Sequence, residues 1–389
     1  MSLKALGGND SGVDREWTPL ELAEMKTGRR IGRISRPKGF ASRRRMKPEK
    51  GAACFHVMSR TVNGEFLFGA VEKEAFRRMM RRMAQFSGVE IFTYALMDNH
   101  FHILVKVPER SRWLRRFERK EGEAADAGEE RLLQHLSTVY SKVFLRQLRN
   151  ELNAFRAAGM EAAAQELLQR FKDRFCDVSL FVKELKERFS RWFNKQNGRR
   201  GTLWMDRFKS VCVDGEAALA TMAAYIDLNP VRAGMVEDPM LYEWSGYGEA
   251  AGGSREAAGG SRQARRGLCK ALNLPQDSWE ERAVARYRLF LFDEGVEVEP
   301  DARSLGKGKR RQRGMKLEAR AKVIEQEGLV RPAEALRKRV GSFTSGVAMG
   351  SEDFVKGVAS RYQEAMGRKK RRIPRSLSGE GGGFYVMKG

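Results

Sequence analysis

The sequence predicts an α+β protein: a small antiparallel sheet with packed helices, a helical insertion and a helical C-terminal extension. Three observations carry this reading. Residues 54–107 run in the order strand, helix, strand, strand. Amphipathic patterns of helical period fill much of 131–197. Helical patterns return over 268–300 and 316–366, beyond a Gly/Ser-rich break.

The elements follow in order. CFHVMSRTV (54–62) is rich in β-formers and predicts a strand. EKEAFRRMMRRMAQF (72–86) repeats Phe76, Met79, Met80, Met83 and Phe86 at helical spacing, with arginines on the other face. VEIFTYALM (89–97) predicts a second strand. Asp98-Asn99 is a turn signal, and HFHILVKV (100–107) predicts the hairpin partner. Residues 109–178 are charged and Ala-rich, with a long helical pattern from Arg131 to Arg174, and read as an inserted helical hairpin. VSLFVKELKERFSRWFNKQN (178–197) is an amphipathic helix with Val182, Leu185, Phe189 and Phe193 on one face. TLWMDRFKSVCV (202–213) reads as loop then strand. Asp214 is the expected cap of a helix through EAALATMAAYIDL, which Pro230 should end. AGGSREA (251–257) followed at once by AGGSRQA (258–264) is a near-duplication that reads as a flexible linker. The expected organisation is a basic leader arm (1–50), a domain over 51–248 carrying the insertion at 109–178, a linker (249–267), a helical extension (268–366) and a basic disordered tail (367–389).

The 389 residues carry 74 Lys and Arg against 50 Asp and Glu, a net charge of +24. Net charge speaks to partners rather than fold, and this one points to a polyanion. Basic runs at 29–50, 306–314 and 368–375 add to the footprint. No apolar run reaches 18 residues, so no transmembrane helix and no membrane partner are expected. MSLKALGGNDSG lacks an apolar core, so no signal peptide is expected. Cys54, Cys176, Cys212 and Cys269 are scattered without a CxxC pair, which argues against a zinc ribbon and for a reducing cytoplasm.

Three groups could carry chemistry. His100 and His102 flank Phe101 in a predicted strand. Alternation puts both imidazoles on one face, well placed to share a divalent metal; an incidental His-x-His pair is the alternative. Tyr225 and Asn229, four apart, share a helix face; a core tyrosine is the alternative. Arg188, Arg191, Lys195, Arg199, Arg200, Arg207 and Lys209 are interleaved with Phe189, Trp192, Phe193, Trp204 and Phe208. Cations neutralise phosphates and aromatics stack on unpaired bases; a basic face over an ordinary core is the alternative.

Together, YALMDNHFHILVKVP, FSRWFNKQNGRRGTLWMDRFKS and YIDLNPVRAGMV followed by EWSGY resemble the REP-associated tyrosine transposases, a branch of the single-tyrosine HUH transposases. The resemblance covers 52–108 and 178–248, and more weakly YRLFLFDEG (287–295) and SFTSGVAMGSEDFV (342–355). It implies an HUH, ferredoxin-like core. His100 and His102 would be metal ligands for Mg²⁺ or Mn²⁺, Tyr225 the nucleophile and Asn229 a third ligand. Asp98 stands where the family often has Pro, a departure that alters the turn or adds a carboxylate near the metal. The implied activity is cleavage and rejoining of single-stranded or hairpin DNA through a 5′-phosphotyrosine intermediate, in the cytoplasm at the nucleoid. Arg188, Arg191, Lys195, Arg199, Arg200, Trp204, Arg207, Lys209 and Arg232 are the candidate DNA contacts. A homodimer is compatible with the resemblance. Two alternatives stay open: a catalytically inactive nucleic-acid-binding regulator on the same fold, or a basic RNA-binding protein.

Overall fold

A computed structural model describes residues 51–252, 260–275, 279, 281–295, 321, 346–366, 375–376 and 385–388. The leader arm, the run 306–314 and most of 367–384 lie outside the described residues. The described chain divides into two units. One holds Arg82–Gly88 and Arg110–Gly201, and the other holds 51–81, Val89–Glu109 and the described residues from 202 onward.

The second unit is built on a sheet. Its strands are β1 (Ala53–Arg60), β2 (Glu90–Leu96), β3 (His100–Val107), β4 (Lys209–Val213), β5 (Gly346–Gly350), β6 (Arg375–Ser376) and β7 (Tyr385–Lys388). Their order is β2-β3-β1-β4-β5-β7-β6. All neighbours are antiparallel except β4 and β5, which run parallel. The expected strand, helix, strand, strand order holds, with helix α1 at Ala70–Ser87 between β1 and β2. Three strands depart from the sequence reading. Residues 346–350 fall in a stretch read as helical, and 375–376 and 385–388 in one read as disordered. GVAMG and YVMK are too short to show a period; they become strands because an existing sheet edge satisfies their backbone.

Register fixes what each face carries. Met58 lies opposite His102 and Arg60 opposite His100 across β1 and β3, and Met58 lies opposite Lys209 across β1 and β4. His56, Met58, Arg60, His100, His102, Leu104 and Lys209 therefore share one face. Phe55, Val57, Phe101, Ile103 and Val105 form the other, fully buried face. There the rings of Phe101 and Phe76 of α1 lie 4.8 Å apart. On the first face, Leu104, Val211 and Val213 join Met222, Ala223 and Ile226 of the next helix in one core cluster.

After α1, helices are numbered in chain order, and the helical unit holds α2 (Arg110–Leu114), α3 (Ala127–Leu136), α4 (Lys142–Ala157), α5 (Glu161–Lys172) and α6 (Val178–Gln196). The expected hairpin is thus a larger bundle that includes the 178–196 helix. Each helix buries one stripe, as Phe144, Leu148 and Leu152 of α4 and Phe181, Leu185, Phe189 and Phe193 of α6 show. Asp177 Oδ1 accepts from the amides of Ser179 and Leu180 and so starts α6.

In the sheet unit follow α7 (Glu216–Asp227), α8 (Asn229–Arg232), α9 (Gly246–Ala251), α10 (Arg262–Ala271), α11 (Glu281–Gly295) and α12 (Glu352–Met366). The cap of α7 is Gly215 at φ 90°, not Asp214; a positive φ suits glycine. Part of the expected linker is helical: Gly246–Ala251 and Arg262–Ala271 are α9 and α10, and Ser261, from the second copy of the duplication, caps α10 by accepting from Ala264 N. The polar residue that suggested a linker is a helix start. Among the described residues no helix is long and apolar enough to cross a membrane.

Asp227 locks α7 in place from inside the core. Its carboxylate accepts from Thr93 Oγ1 of β2 (2.8 Å), Tyr247 N of α9 (3.1 Å) and Tyr287 OH of α11 (2.7 Å). Burial pushes its pKa up to about 7, against the pull of these donors. Gly246 permits the approach of α9, since a Cβ there would sit 2.0 Å from Thr93 Oγ1. Asp227→Ala leaves three buried donors without an acceptor and should cost about 2–3 kcal/mol. Urea unfolding of wild type and variant measures this; a loss below about 0.5 kcal/mol would show that the contacts to Asp227 carry little.

Candidate active site

The imidazole pair sits at the start of β3, held by the hairpin turn before it. Met97 N donates to His100 O (2.8 Å), closing β2–β3 over Asp98-Asn99. Thr61 fixes that turn: its amide and hydroxyl both donate to Asn99 O, at 2.9 and 3.0 Å. Asn99 Nδ2 donates to Gly64 O (2.8 Å), so its Oδ1 is the acceptor facing His100 Nδ1 at 2.6 Å. This arrangement puts the His100 proton on Nδ1 and leaves Nε2 with a lone pair.

His102 is oriented by a third histidine. His56 Nε2 and His102 Nδ1 lie 2.9 Å apart, diagonal neighbours on β1 and β3. With the shared proton on His102 Nδ1, its Nε2 too keeps a lone pair. Both rings are held neutral. Burial, then the Arg60 charge, lower His100 to about 4, with Asp98 opposing. Burial, then His100, His56 and Arg60, take His102 well below the ordinary histidine value. Neutral imidazoles with their second nitrogens tied down are what a metal requires of histidine ligands.

Tyr225 comes to the same place from α7. Its ring centroid lies 5.8 Å from that of His102 and 6.0 Å from that of His56. The Arg232 guanidinium sits 5.3 Å from the centre of the Tyr225 ring. The tyrosine is 3% exposed, and burial raises its phenol to about 12, with Arg232 pulling the other way. Asn229 Nδ2 donates to Tyr225 O (2.9 Å) and Ile226 O (3.3 Å), so only its amide oxygen could serve as a ligand atom. His100, His102, Tyr225 and Asn229 line one cleft of ≈ 570 Å³, with Arg60, Arg207, Lys209 and Arg232 as cations and Asp206 as the single carboxylate. Among the described residues no three His, Cys, Asp or Glu side chains gather around a metal position. Any ion here would take its remaining ligands from Asn229, water or phosphate oxygens.

The other sequence candidates divide. Asp98 is paired with Lys73 Nζ at 2.6 Å rather than offered as a ligand. Trp204 is not a surface platform for a base. It is buried with its ring 5.7, 6.2 and 5.5 Å from those of Phe68, Phe76 and Phe101. Phe189, Phe193 and Phe208 are buried as well, so the interleaved aromatics are mainly core. Arg188, Arg191, Lys195, Arg199 and Arg200 belong to the helical unit, and Arg207, Lys209 and Arg232 to the sheet unit. Arg191, Lys195 and Arg200 are exposed. Arg188 is half-buried beside Tyr140 and Glu184, and burial lowers its pKa. His56 escaped the sequence because no local signal marks it; it meets His102 only once β1 pairs with β3.

Fold and site together define a basic α+β protein with a histidine–tyrosine cleft. No family model matches the chain, and no curated protein matches it. Among solved structures, a REP-associated tyrosine transposase bound to a REP hairpin is similar over 54% of this chain and 85% of that one, at 13% identity and a TM-score of 0.32. A likeness that low carries no argument about the site.

Trp204→Ala should act as a core deletion, costing about 3–5 kcal/mol. Chemical denaturation is the check; unchanged stability with weakened DNA binding would restore Trp204 as a stacking residue.

Proposed function

We propose that the protein is a metal-dependent endonuclease and strand transferase for single-stranded or hairpin DNA, with Tyr225 as nucleophile. The observation that carries this reading is the convergence of Tyr225 on His100 and His102 from an element more than a hundred residues away. The sequence motifs support it independently. His100 and His102, through Nε2, would hold Mg²⁺ or Mn²⁺, with Asn229 Oδ1 as third ligand. A bound divalent ion polarises the scissile phosphate and offsets its developing charge.

The chain's own residues do the rest. Arg60, Arg207, Lys209 and Arg232 draw the phosphodiester into the cleft. The Tyr225 oxygen attacks phosphorus as its proton passes to water in the cleft, and water returns a proton to the leaving group. The Oη–P bond forms, the P–O3′ bond breaks, and the departing 3′ oxygen takes a proton. The products are a 5′-phosphotyrosine and a free 3′-OH. The phosphotyrosine conserves the bond energy, so a 3′-OH can reverse the step and join strands without ATP.

One observation favours the second reading, a binding protein without catalysis: Tyr225 is almost fully buried and its phenol is hard to ionise. An adduct assay decides. With labelled hairpin DNA and Mn²⁺, the wild type should give a covalent protein–DNA species on a denaturing gel. EDTA and Tyr225→Phe should both abolish it. Binding without an adduct would support the regulator reading, and a preference for RNA would support the third.

Two further variants probe the histidines. His100→Ala should abolish cleavage and leave hairpin affinity largely intact at fixed salt; an equal collapse of affinity would make His100 structural. His56→Ala should weaken Mn²⁺ binding by about 10- to 100-fold, read by electron paramagnetic resonance titration. An unchanged Mn²⁺ affinity would separate His56 from the metal.

A further inference from the structure

The helical unit holds a second concavity with its own chemistry. It has a volume of ≈ 650 Å³ and is lined by Arg82, Gln85, Arg116, Phe117, Arg131, Gln134, His135, Ser137 and Thr138. No carboxylate is in that lining. None of these residues belongs to the motifs that carry the family resemblance.

The three guanidinium groups play different parts. Arg131 is a brace. It grips Glu123 with two parallel bonds of 2.9 and 2.8 Å and donates to Arg116 O (2.9 Å) and Glu118 O (2.5 Å). It therefore holds the backbone of the segment that carries Arg116. Arg116 is the presented cation. Its Nε donates to Trp113 O (3.0 Å), and its guanidinium lies 4.0 Å from the centre of the Trp113 ring. No acid pairs with it among the described residues. Trp113 is itself fixed by Gly88, where a Cβ would come within 2.4 Å of the indole. Arg82 is anchored through Nε to Thr138 O at 2.5 Å.

A guanidinium tied down through Nε over an indole still has its two terminal nitrogens to offer, and Arg116 lines the cavity. That fork matches two oxygens of one phosphate, and its orientation is fixed before binding. The exposed amides of Gln85 and Gln134 add neutral donors at the wall. The hydroxyls are committed elsewhere: Ser137 Oγ donates to Gln134 O and Thr138 Oγ1 to His135 O, each at 2.6 Å. Arg112 and Arg115, exposed just before Arg116, extend the positive surface.

We propose that this pocket binds a backbone phosphate of the nucleic acid, with Arg116 as the principal contact and Arg131 as its positioning residue. The inference rests on the reading of the protein as DNA-binding, but not on cleavage. Phosphate chemistry is shared by free phosphate and by a nucleic-acid backbone. The chain's excess of 24 positive charges selects the backbone.

The test uses the full chain and labelled hairpin DNA, with affinity followed by fluorescence anisotropy from low to high salt. Arg116→Ala should weaken binding by roughly threefold to tenfold at low salt and make the slope of log K against log salt shallower by about 0.7–0.9. Gln134→Glu, at an exposed position, places a carboxylate on the wall beside the pocket's guanidinium groups. It should weaken binding similarly, with the difference fading as salt rises. Both variants should retain the wild-type unfolding transition. Wild-type affinity and slope in both variants would overturn the proposal. So would a titration in which inorganic phosphate alone fills the pocket while DNA binding ignores both substitutions. If no variant, nor the wild type, forms an adduct but the salt slopes change as expected, the cleavage reading fails and the pocket stands.

Discussion

The antiparallel register of β1 against β3 is the constraint on which the rest depends. It places Met58 across from His102 and Arg60 across from His100. A slip of one residue would turn both imidazoles to the face where Phe101 meets Phe76, and would bring Phe101 to the cleft. The buried odd-numbered side chains of β1 and β3 make that slip costly, because each would have to leave the apolar core. The hydrogen bond between His56 and His102 then reads the register out as a ring orientation. The placement of the imidazole pair is thus inherited from packing on the far side of the sheet.

The tyrosine depends on a second lock. α7 is apolar nearly all round, so its hydrophobic pattern does not by itself choose which side faces the histidines. Asp227 makes the choice. Bonded to β2, α9 and α11 at once, it sets the rotation of the helix, and Tyr225 and Asn229 follow. Residues of three elements therefore fix the helix that carries Tyr225. Tyr287 brings the C-terminal part of the chain into this lock, although the sequence suggested only a loosely related extension there.

Much of this was legible beforehand. The strand, helix, strand, strand order showed in the alternation of 54–62, 89–97 and 100–107 and in the period of 72–86. The His-x-His pair and the Tyr225–Asn229 spacing were visible because both are local. What escaped was long-range. His56 means nothing until β1 pairs with β3, and the role of Asp227 appears only when β2, α9 and α11 close around it. Trp204 misled because an aromatic among arginines looks the same in a core as on a platform; only burial distinguishes the two. The strands at 346–350 and 385–388 escaped because four or five residues show no period, and their stability comes from the sheet they join. The Gly/Ser duplication misled because serine starts helices as readily as it loosens linkers.

The sheet unit and the helical unit also divide the chemistry of charge. In the sheet unit, cations line a cleft with two neutral imidazoles and a phenol that burial keeps protonated. In the helical unit, cations are braced and stacked, an arrangement suited to holding an anionic backbone. The account stands most directly on which atom becomes joined to DNA. Mass spectrometry of a tryptic digest, after incubation with hairpin DNA and Mn²⁺, reads this at the peptide 210–232, which carries Tyr225 between Lys209 and Arg232. The account predicts that peptide with a nucleotide linked through its 5′ phosphate to Tyr225, and a released fragment ending in 3′-OH. An unmodified 210–232 peptide alongside cleaved DNA, or a nucleotide on any other residue, would contradict it.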